Sequence, residues 1–592
     1  MRIGLLTEGG YPYVSGEARL WCDRLVRGLG QHEFDIYALS RSERQEAQGW
    51  IELPPQVNRV RTAPLWTVDD HGVACGAGHG RRARRRFAEC FGELAAAVCD
   101  SGAAGAAGAS GATDASASTD ASASTDALAD RFGSALYGLA ELARDHGGLV
   151  TALRSEAAVR ALESACRAPG ALRTARAARV PDLLAVASHL ERALRPLSLD
   201  WYGDDGLGAV DLCHATSGGP AALPGLLAKH FSGVPLLVTE YGVQLRAHYL
   251  ATGDEALSAP ARALLTSFHG RLAAEVYRQA TIITPGNTHA RRWQERCGAE
   301  RTKLRTVYPG METSRFAEVG DREDPGDPDT LLWVGRIEPA KDLISLLHAF
   351  AEVRKEEPKA RLRIVGAPAE GPEAHAYLAH CRALAAQLFP DEAQGAHAVG
   401  DNPVSFEEIG SPETPELADA YAAGSVVVLS SVVEGFPISL VEAMFCGRAT
   451  VSTDVGAVVE VIGGTGLVVP PRNPRALAEA CVALLRDAGR RERLGAAARA
   501  RALELFTVEQ NTEAFRGIYL EIVSHCPVRR EAVDDAGEPV PFGHPAEAYM
   551  PGRWAVAAGG AGADGDGGAG PGGAPSWAQE TDRPERLKGA GV

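Results

Sequence analysis

Residues 430–447 read Ser-Ser-Val-Val-Glu-Gly-Phe-Pro-Ile-Ser-Leu-Val-Glu-Ala-Met-Phe-Cys-Gly. This stretch follows the apolar run 426–429, which predicts a buried parallel strand, and Gly447 predicts the end of a helix. Pro437 suits the first position of that helix, because the N–H that proline lacks would have no intrahelical partner there. The pattern therefore predicts a strand, a loop and a helix.

The loop between this strand and helix carries the residues of a ligand site. In open α/β sheets, ligands bind at the carboxyl ends of the strands, and the free N–H groups at a helix start favour an anion. Gly435 allows the backbone to approach such a ligand closely. Glu434 and Glu442, with seven residues between them, add two acceptor groups. These features predict a ligand with phosphates and sugar hydroxyls. An ordinary connection with solvated glutamates is the alternative.

This stretch resembles the Glu-x7-Glu motif of retaining GT-B glycosyltransferases of the glycosyltransferase family 4 type. In that family the C-terminal one of two Rossmann-like domains holds a nucleotide sugar. The resemblance implies that Glu434 contacts the donor sugar and that Glu442 contacts the ribose hydroxyls. It also implies backbone contacts to the sugar and the phosphates from Gly435, Phe436, Pro437, Ile438, Ser439 and Leu440.

The beginning of the chain carries a second resemblance. A strand at 2–6, a loop, a helix and a strand at 34–39 predict a parallel α/β sheet. Residues 9–17 read Gly-Gly-Tyr-Pro-Tyr-Val-Ser-Gly-Glu and resemble the opening loop of the Pel exopolysaccharide (PelF-like) subgroup of family 4. The resemblance implies that Gly16 faces the donor diphosphate. Glu17 replaces the second glycine of the subgroup and so places a carboxylate where the phosphates would approach. Alternatively, Glu17 interacts favourably with the positive N-terminus of the following helix.

Two cationic residues open the second half of the chain. After a linker rich in acidic residues, Pro and Gly, residues 331–342 read Leu-Leu-Trp-Val-Gly-Arg-Ile-Glu-Pro-Ala-Lys-Asp. A buried strand there leads to Gly335 and Arg336, and Lys341 stands at the next helix start. A guanidinium fork and a lysine charge on one loop suit a diphosphate. The resemblance implies that Arg336 and Lys341 neutralise the leaving diphosphate. Gly366, after the next strand, is predicted to turn beside the base.

The N-terminal half offers two candidates for the acceptor or sugar side of the cleft. Strands predicted at 210–215 and 236–240 end near His214 and Tyr241. Where this chain has Tyr241, the Pel-like subgroup usually has a histidine, which is expected near the transferred sugar. Tyr241 can still donate a hydrogen bond, so we predict a cleft role for it. His214 is a second candidate for the cleft from the previous strand, although a structural histidine is the favoured interpretation of this residue.

The chain length and composition predict several domains. A chain of 592 residues, 45% hydrophobic, is too long for one core. We predict an α/β, GT-B architecture, in which two Rossmann-like domains face a cleft. The N-terminal acceptor domain is predicted at 1–320, with a helical insertion at about 41–200 that is disordered over 101–127. The nucleotide-sugar domain follows at 329–507, a helix crossing back to the first domain at 508–526, and a disordered tail at 527–592.

Charge and cysteine content restrict the class of protein. A formal net charge of -16 argues against a nucleic-acid partner. Because no run of ~20 apolar residues and no signal-peptide pattern occurs, a cytoplasmic enzyme is expected. Eleven scattered cysteines without a Cys-x-x-Cys pair predict free thiols. The basic run 81–86 is either a solvated face or a contact with anionic lipid or polysaccharide machinery.

The resulting functional hypothesis is a retaining hexosyltransferase. It moves a sugar from a nucleotide diphosphate sugar, UDP-glucose being the first choice, to a saccharide or another hydroxyl acceptor in exopolysaccharide or glycoconjugate synthesis. A polysaccharide-synthesis membrane complex is a candidate partner. Neither a metal nor a cofactor is expected, since cationic side chains and backbone dipoles take the developing charge. The alternatives are a GT-B epimerase or a transferase with another donor, and a non-catalytic nucleotide-sugar-binding subunit of an assembly complex.

Overall fold

The computed structural model describes residues 1–15, 18–66, 80–100, 115–246, 257–321, 326–369, 371–390, 402–412 and 414–528. Within these ranges, the strands form two six-stranded parallel sheets. The first contains β1 (Arg2–Glu8), β2 (Glu33–Ser40), β3 (Val57–Pro64), β4 (Leu212–Ala215), β5 (Leu236–Glu240) and β6 (Ile282–Pro285). The second contains β7 (Asp327–Val334), β8 (Arg361–Val365), β9 (Val404–Glu407), β10 (Gly424–Leu429), β11 (Ala449–Thr453) and β12 (Leu467–Val469).

Helices surround both sheets. Those of the N-terminal half are α1 (Arg19–Gly28), α2 (Glu43–Ala47), α3 (Arg81–Cys99), α4 (Ala115–His146), α5 (Leu149–Leu153), α6 (Glu156–Arg167), α7 (Val180–Leu194), α8 (Leu223–Ser232), α9 (Ala259–Gln279), α10 (Thr288–Arg296) and α11 (Ser314–Asp321). Those of the C-terminal half are α12 (Leu343–Glu356), α13 (Pro372–Leu388), α14 (Leu417–Ala423), α15 (Ile438–Phe445), α16 (Val458–Ile462), α17 (Pro474–Arg486), α18 (Ala488–Leu505) and α19 (Val508–His525).

The strand order places a ligand crevice in each sheet. The first sheet runs β3-β2-β1-β4-β5-β6, and the second runs β12-β11-β10-β7-β8-β9, which is the same doubly wound order. In such sheets the order reverses between the first and fourth strands, and ligands bind beyond the carboxyl ends of those strands. In the second sheet these are β7 and β10. The loops with the predicted cations and with Glu434 therefore meet at the point where the topology favours binding.

Two parts of the predicted helical insertion at 41–200 differ from the expectation. Residues 57–64 form β3, an edge strand beside β2, and its alternation of arginines with half-buried residues hid the strand pattern. The helix α4 begins at Ala115, inside the segment 101–127 that was expected to be disordered, and alanine is the strongest helix former. Residues 101–114 and 529–592, which include most of the expected tail, lie outside the described residues.

The helix of the central stretch starts one residue later than expected. Pro437 is the residue before α15, with φ -81° and ψ 82°, and Ile438 is the first helical residue. The prediction that Pro437 occupies the first helical position was therefore wrong. After the helix, Gly447 adopts a φ of +67°, the left-handed conformation that favours glycine at a helix end.

The last described helix packs against the N-terminal sheet. Phe515 and Tyr519 of α19 are fully buried in a cluster with Trp21 of α1 and with strand residues of the first sheet. This packing holds α19, which follows the second domain in sequence, against the first domain. In the described part of the chain, no helix combines the length and apolar character that crossing a membrane requires.

Candidate active site

Hydrogen bonds fasten together the loops that follow β7 and β10. The Val432 N–H donates to the Ala340 carbonyl over 2.9 Å, and the Ser430 hydroxyl donates to the Lys341 carbonyl over 2.7 Å. From β11, the Thr453 hydroxyl donates to the Ser431 carbonyl over 2.6 Å. The loop that carries Glu434 therefore has a fixed position relative to the loop that carries Lys341.

An ion pair lies at the centre of this site. Lys341 Nζ is 2.7 Å from Glu434 Oε2, and the Ser431 hydroxyl donates to the same oxygen over 3.1 Å. The two charged side chains are 17% and 12% exposed, so both are partly withdrawn from water while each keeps an accessible edge. An anion that approaches Lys341 would compete with Glu434, and a sugar hydroxyl could donate to the carboxylate.

Arg336 and the neighbouring glycines border the same crevice. The Arg336 side chain is exposed, and it has no hydrogen bond or ion pair among the described residues. At the ends of β7 and β8 the backbone is crowded: a Cβ atom on Gly366 would lie 1.8 Å from the Gly335 carbonyl oxygen. Only glycine fits at Gly366, which allows the two strand ends to lie close together beside a free guanidinium.

The loop backbone at Gly435 faces open space. A Cβ atom on Gly435 would meet no heavy atom within 4 Å. Behind it, Gly456 has a φ of +58°, and a Cβ atom there would lie 2.4 Å from the Glu434 carbonyl oxygen. The loop is thus supported from one side by a residue that must be glycine and is open on the other, as a close backbone approach to a ligand requires.

The remaining residues predicted to bind the donor divide between the core and the surface. The Leu440 side chain is fully buried, and the Phe436 ring packs edge-on against Phe506 with centroids 5.7 Å apart. Ile438 is 58% exposed, and Ser439 is half-buried at the beginning of α15. For Phe436 and Leu440, packing explains the side chain, so only their backbone groups remain as candidates for ligand contact.

Glu442, the second glutamate of the motif, belongs to α15 and is half-buried. Burial raises the pKa of its carboxyl, while a hydrogen bond from Tyr421 and the charges of Arg315 and Arg24 oppose this rise. The Tyr421 hydroxyl lies 2.8 Å from Glu442 Oε2. Arg24 belongs to α1 and Arg315 to α11, so two arginines that precede the second sheet in the chain act on a carboxylate of the second domain.

The N-terminal domain reaches this site through the loop after β5. Arg246 Nη2 donates to the Glu434 carbonyl over 3.4 Å. The loop is anchored by Glu240, a buried carboxylate that accepts the Gln244 N–H over 2.9 Å and the Gly218 N–H over 3.3 Å, and that also bonds the Tyr277 hydroxyl. This contact could not be predicted from the sequence, because no spacing pattern connects Arg246 with Glu434.

The structure corrects the hypothesis for His214. This residue is fully buried, with Nδ1 2.7 Å from the Tyr519 hydroxyl and Nε2 2.7 Å from the Thr239 hydroxyl. Burial lowers its pKa to about 3. Both ring nitrogens are thus occupied within the packing of α19 on the sheet, and His214 does not enter the cleft, because the chain returns Tyr519 onto it from 305 positions away.

Gly16, predicted to face the diphosphate, lies outside the described residues. The Tyr241 side chain, like that of His214, already has partners within the protein. The Tyr241 hydroxyl accepts a hydrogen bond from Asn511 of α19 over 2.9 Å, and its ring packs edge-on against Trp21 with centroids 5.1 Å apart. Burial raises its pKa. Tyr241 therefore links the sheet to α19, and its place in the predicted acceptor side stays a hypothesis.

Two family models match this chain. Residues 1–302 match the family described as "Domain of unknown function (DUF3492)", and residues 328–487 match "Glycosyl transferases group 1". The boundary between the two matches falls at the linker before β7. The second match contains Arg336, Lys341, Glu434 and Glu442.

Similar proteins include two bacterial enzymes named D-inositol 3-phosphate glycosyltransferase. The one from Kribbella flavida is 31% identical over 298 residues, which cover 46% of this chain and 63% of that protein. The one from Kineococcus radiotolerans is 32% identical over 247 residues, which cover 37% of this chain and 53% of that protein. The chain thus spans between about half and two thirds of the length of these curated relatives.

Among solved structures, sucrose-phosphate synthase from Thermosynechococcus elongatus matches with a TM-score of 0.50. The match covers 88% of this chain and 99% of that chain at 16% sequence identity. At this level of identity the likeness concerns the fold alone. Together with the two parallel sheets, it confirms the predicted GT-B fold class.

Proposed function

The chain belongs to the DUF3492 family and carries a glycosyl transferases group 1 domain, and on this premise we propose that it is a retaining glycosyltransferase. It takes a sugar from a nucleotide diphosphate sugar and transfers it to a hydroxyl group of an acceptor. The observation that carries the proposal is the Lys341–Glu434 pair, held at the topological crevice of the second sheet beside the exposed Arg336.

The proposed chemistry assigns each group a task. In glycosyl transfer the bond between the sugar and the diphosphate breaks, and negative charge grows on the leaving phosphate. This charge is stabilised by two cationic side chains, Lys341 and Arg336, and by the dipoles of the first N–H groups of α15. These groups are already in place before the reaction. Glu434 accepts hydrogen bonds from hydroxyls of the transferred sugar, which orients its anomeric carbon toward the acceptor. Glu442 accepts hydrogen bonds from the ribose.

The finer parts of the proposal rest on resemblance. UDP-glucose is the first choice of donor, and the Tyr-Pro-Tyr-Val-Ser-Gly run at 11–16 supports a Pel-like role in exopolysaccharide or glycoconjugate synthesis. The relatives named for D-inositol 3-phosphate favour a phosphorylated polyol as a second acceptor class. In the described part of the chain, no group of three or more His, Cys, Asp or Glu side chains could hold a metal ion.

A donor screen tests the proposal. Purified protein is mixed with UDP-, GDP- and ADP-sugars, and both thermal stabilisation and release of the nucleotide diphosphate are recorded, with and without saccharide and inositol phosphate acceptors. We expect one nucleotide sugar to stabilise the protein and to be turned over slowly, and we expect Glu434→Ala and Lys341→Ala to abolish turnover. If no nucleotide sugar binds, the proposal is wrong.

The same screen separates the second candidate, a non-catalytic nucleotide-sugar-binding subunit. This chain has Tyr241 where the Pel-like subgroup usually has a histidine, and the Tyr241 hydroxyl is already bonded to Asn511. These two features keep the candidate open. A binding subunit would be stabilised by a nucleotide sugar and would release no nucleotide with any acceptor. An epimerase would convert the sugar without transferring it to the acceptor.

A further inference from the structure

Tyr421 holds two residues of the proposed donor site. Its hydroxyl lies 2.8 Å from Glu442 Oε2 and 3.2 Å from the Ser439 carbonyl oxygen. Both acceptors belong to α15, whereas Tyr421 belongs to α14, which precedes β10 in the chain. A single phenol group therefore connects the helix that carries Glu442 to a neighbouring helix.

The position of Tyr421 is itself fixed. The side chain is fully buried, and its ring packs edge-on against Phe316 with centroids 5.9 Å apart. The Arg448 side chain donates to the Tyr421 carbonyl over 2.8 Å, which holds the end of α14. A tyrosine packed in this way has no freedom to follow a moving carboxylate, so Glu442 must adopt the orientation in which the hydrogen bond forms.

The bond also determines which carboxylate oxygen remains available. A carboxylate has two oxygens with about four acceptor positions, and Tyr421 takes one position on Oε2. The charges of Arg24 and Arg315 act on the same group from α1 and α11. These groups oppose the rise in the pKa that burial causes. The hydrogen bond from Tyr421 also fixes the directions of the remaining acceptor positions, which a pair of adjacent hydroxyls can match.

We propose that Tyr421 is a positioning residue that orients Glu442 toward the ribose 2′- and 3′-hydroxyls, and so makes the site selective for ribonucleotide sugars. This inference rests on the proposed function, because it presumes that Glu442 binds the ribose of the donor. Tyr421 does not touch the reacting atoms. Its effect passes entirely through the direction and the ionisation of the Glu442 carboxylate.

The test compares UDP-glucose with its 2′,3′-dideoxyribose analogue by equilibrium titration of the whole chain. Wild-type protein should bind the ribose form at least about tenfold more tightly, since hydrogen bonds to a charged group are lost with the analogue. Tyr421→Phe should lower the affinity for UDP-glucose by about tenfold and leave the affinity for the analogue nearly unchanged. The preference for ribose would then largely disappear, an outcome that general loosening of the fold would not produce.

Two further variants provide the controls. Tyr137→Phe removes a matched hydroxyl, 2.8 Å from the buried Glu275 carboxylate in the N-terminal half, and should leave both affinities unchanged. Adding Tyr421→Phe to Glu442→Ala should cause no further loss of UDP-glucose affinity, because Tyr421 acts through Glu442. Additive losses in this double variant would overturn the inference.

The remaining outcomes distinguish this inference from the proposed function. If wild-type protein prefers ribose and Tyr421→Phe retains that preference, Tyr421 has no positioning role while the proposed function stands. Equal weakening of both ligands by Tyr421→Phe would assign Tyr421 a purely structural role, which also overturns the inference. If none of the UDP-, GDP- and ADP-sugars of the donor screen binds wild-type protein, the proposed function itself is wrong, and the inference fails with it.

Discussion

Replacing Lys341 with methionine removes the cation from the centre of the proposed site and keeps most of the side-chain volume. The ion pair with Glu434 spans 2.7 Å between side chains that are 17% and 12% exposed. Because Glu434 keeps the Ser431 hydroxyl and some water, we expect Lys341→Met to lower the free energy of unfolding by only about 1–2 kcal/mol. The folded protein should therefore persist.

The effect on transfer should be larger than the effect on stability. Removal of one preorganised group that stabilises developing negative charge slows a reaction by about 10²-fold to 10³-fold, or about 3–4 kcal/mol. We expect that loss in kcat for nucleotide release from the donor that the screen identifies. Lys341→Arg should restore part of the rate, since it returns the charge with a different geometry.

A matched lysine provides the control for this substitution. Lys303 is 23% exposed, and its Nζ donates to the Arg278 carbonyl over 2.7 Å in the N-terminal half. Lys303→Met should reduce stability by a similar amount and leave kcat within about twofold of wild type. A kcat within about threefold of wild type for Lys341→Met, shown to be folded by circular dichroism, would contradict a role of Lys341 in stabilising the leaving diphosphate.

Three further predictions concern other contacts. Glu460 accepts the Thr288 N–H over 2.7 Å and the Tyr308 hydroxyl over 2.9 Å, so Glu460→Gln should speed hydrogen exchange of the Thr288 amide by about tenfold, and unchanged exchange would contradict this. The pKa of buried His214 is about 3, below its unfolded value near 6.5, so its contribution to stability is complete above pH ~6.5 and falls by about 1.4 kcal/mol per pH unit as the pH drops toward 3. In denaturant titrations, the free energy of unfolding should fall between pH 7 and pH 5 by about 2 kcal/mol less in His214→Gln than in wild type. An equal fall in the two proteins would contradict this prediction. Gly456→Ala should weaken binding of the nucleotide sugar about tenfold or more, because the added Cβ would lie 2.4 Å from the Glu434 carbonyl oxygen. Wild-type affinity of this variant in a calorimetric titration would contradict the prediction.

The sequence was sufficient for the parts of the fold that local pattern determines. Apolar runs such as 426–429 predicted strands, and the Gly435 and Gly447 positions predicted a loop and a helix end, because period and turn chemistry are local properties. The edge strand β3 was missed, since Ala63 is its only buried residue and its arginines are typical of a surface segment. Helix α4 was missed in its first turns because the Ala-Ser-Thr-Asp repeat resembles low complexity.

The site showed the same division. The spacing of Glu434 and Glu442 was visible in the chain, and the structure brings Lys341 to Glu434 from 93 positions away. The orientation of Glu442 depends on Tyr421, which stands 21 positions earlier on another helix. No periodic pattern marks such a pair. The sequence could not exclude a cleft role for His214 beside the favoured structural one, because its partners arrive from β5 and α19, which only the tertiary packing brings together.

The anomeric configuration of the product tests retaining sugar transfer itself. Wild-type protein is incubated with the α-linked nucleotide sugar and the acceptor that the screen identifies, and the new glycosidic bond is assigned by proton NMR. Retaining transfer predicts an α-linked product, formed together with one nucleotide diphosphate per bond and formed about 10²-fold to 10³-fold more slowly with Lys341→Met. A β-linked product would contradict retention, and donor hydrolysis or binding without any new glycosidic bond would contradict transfer itself.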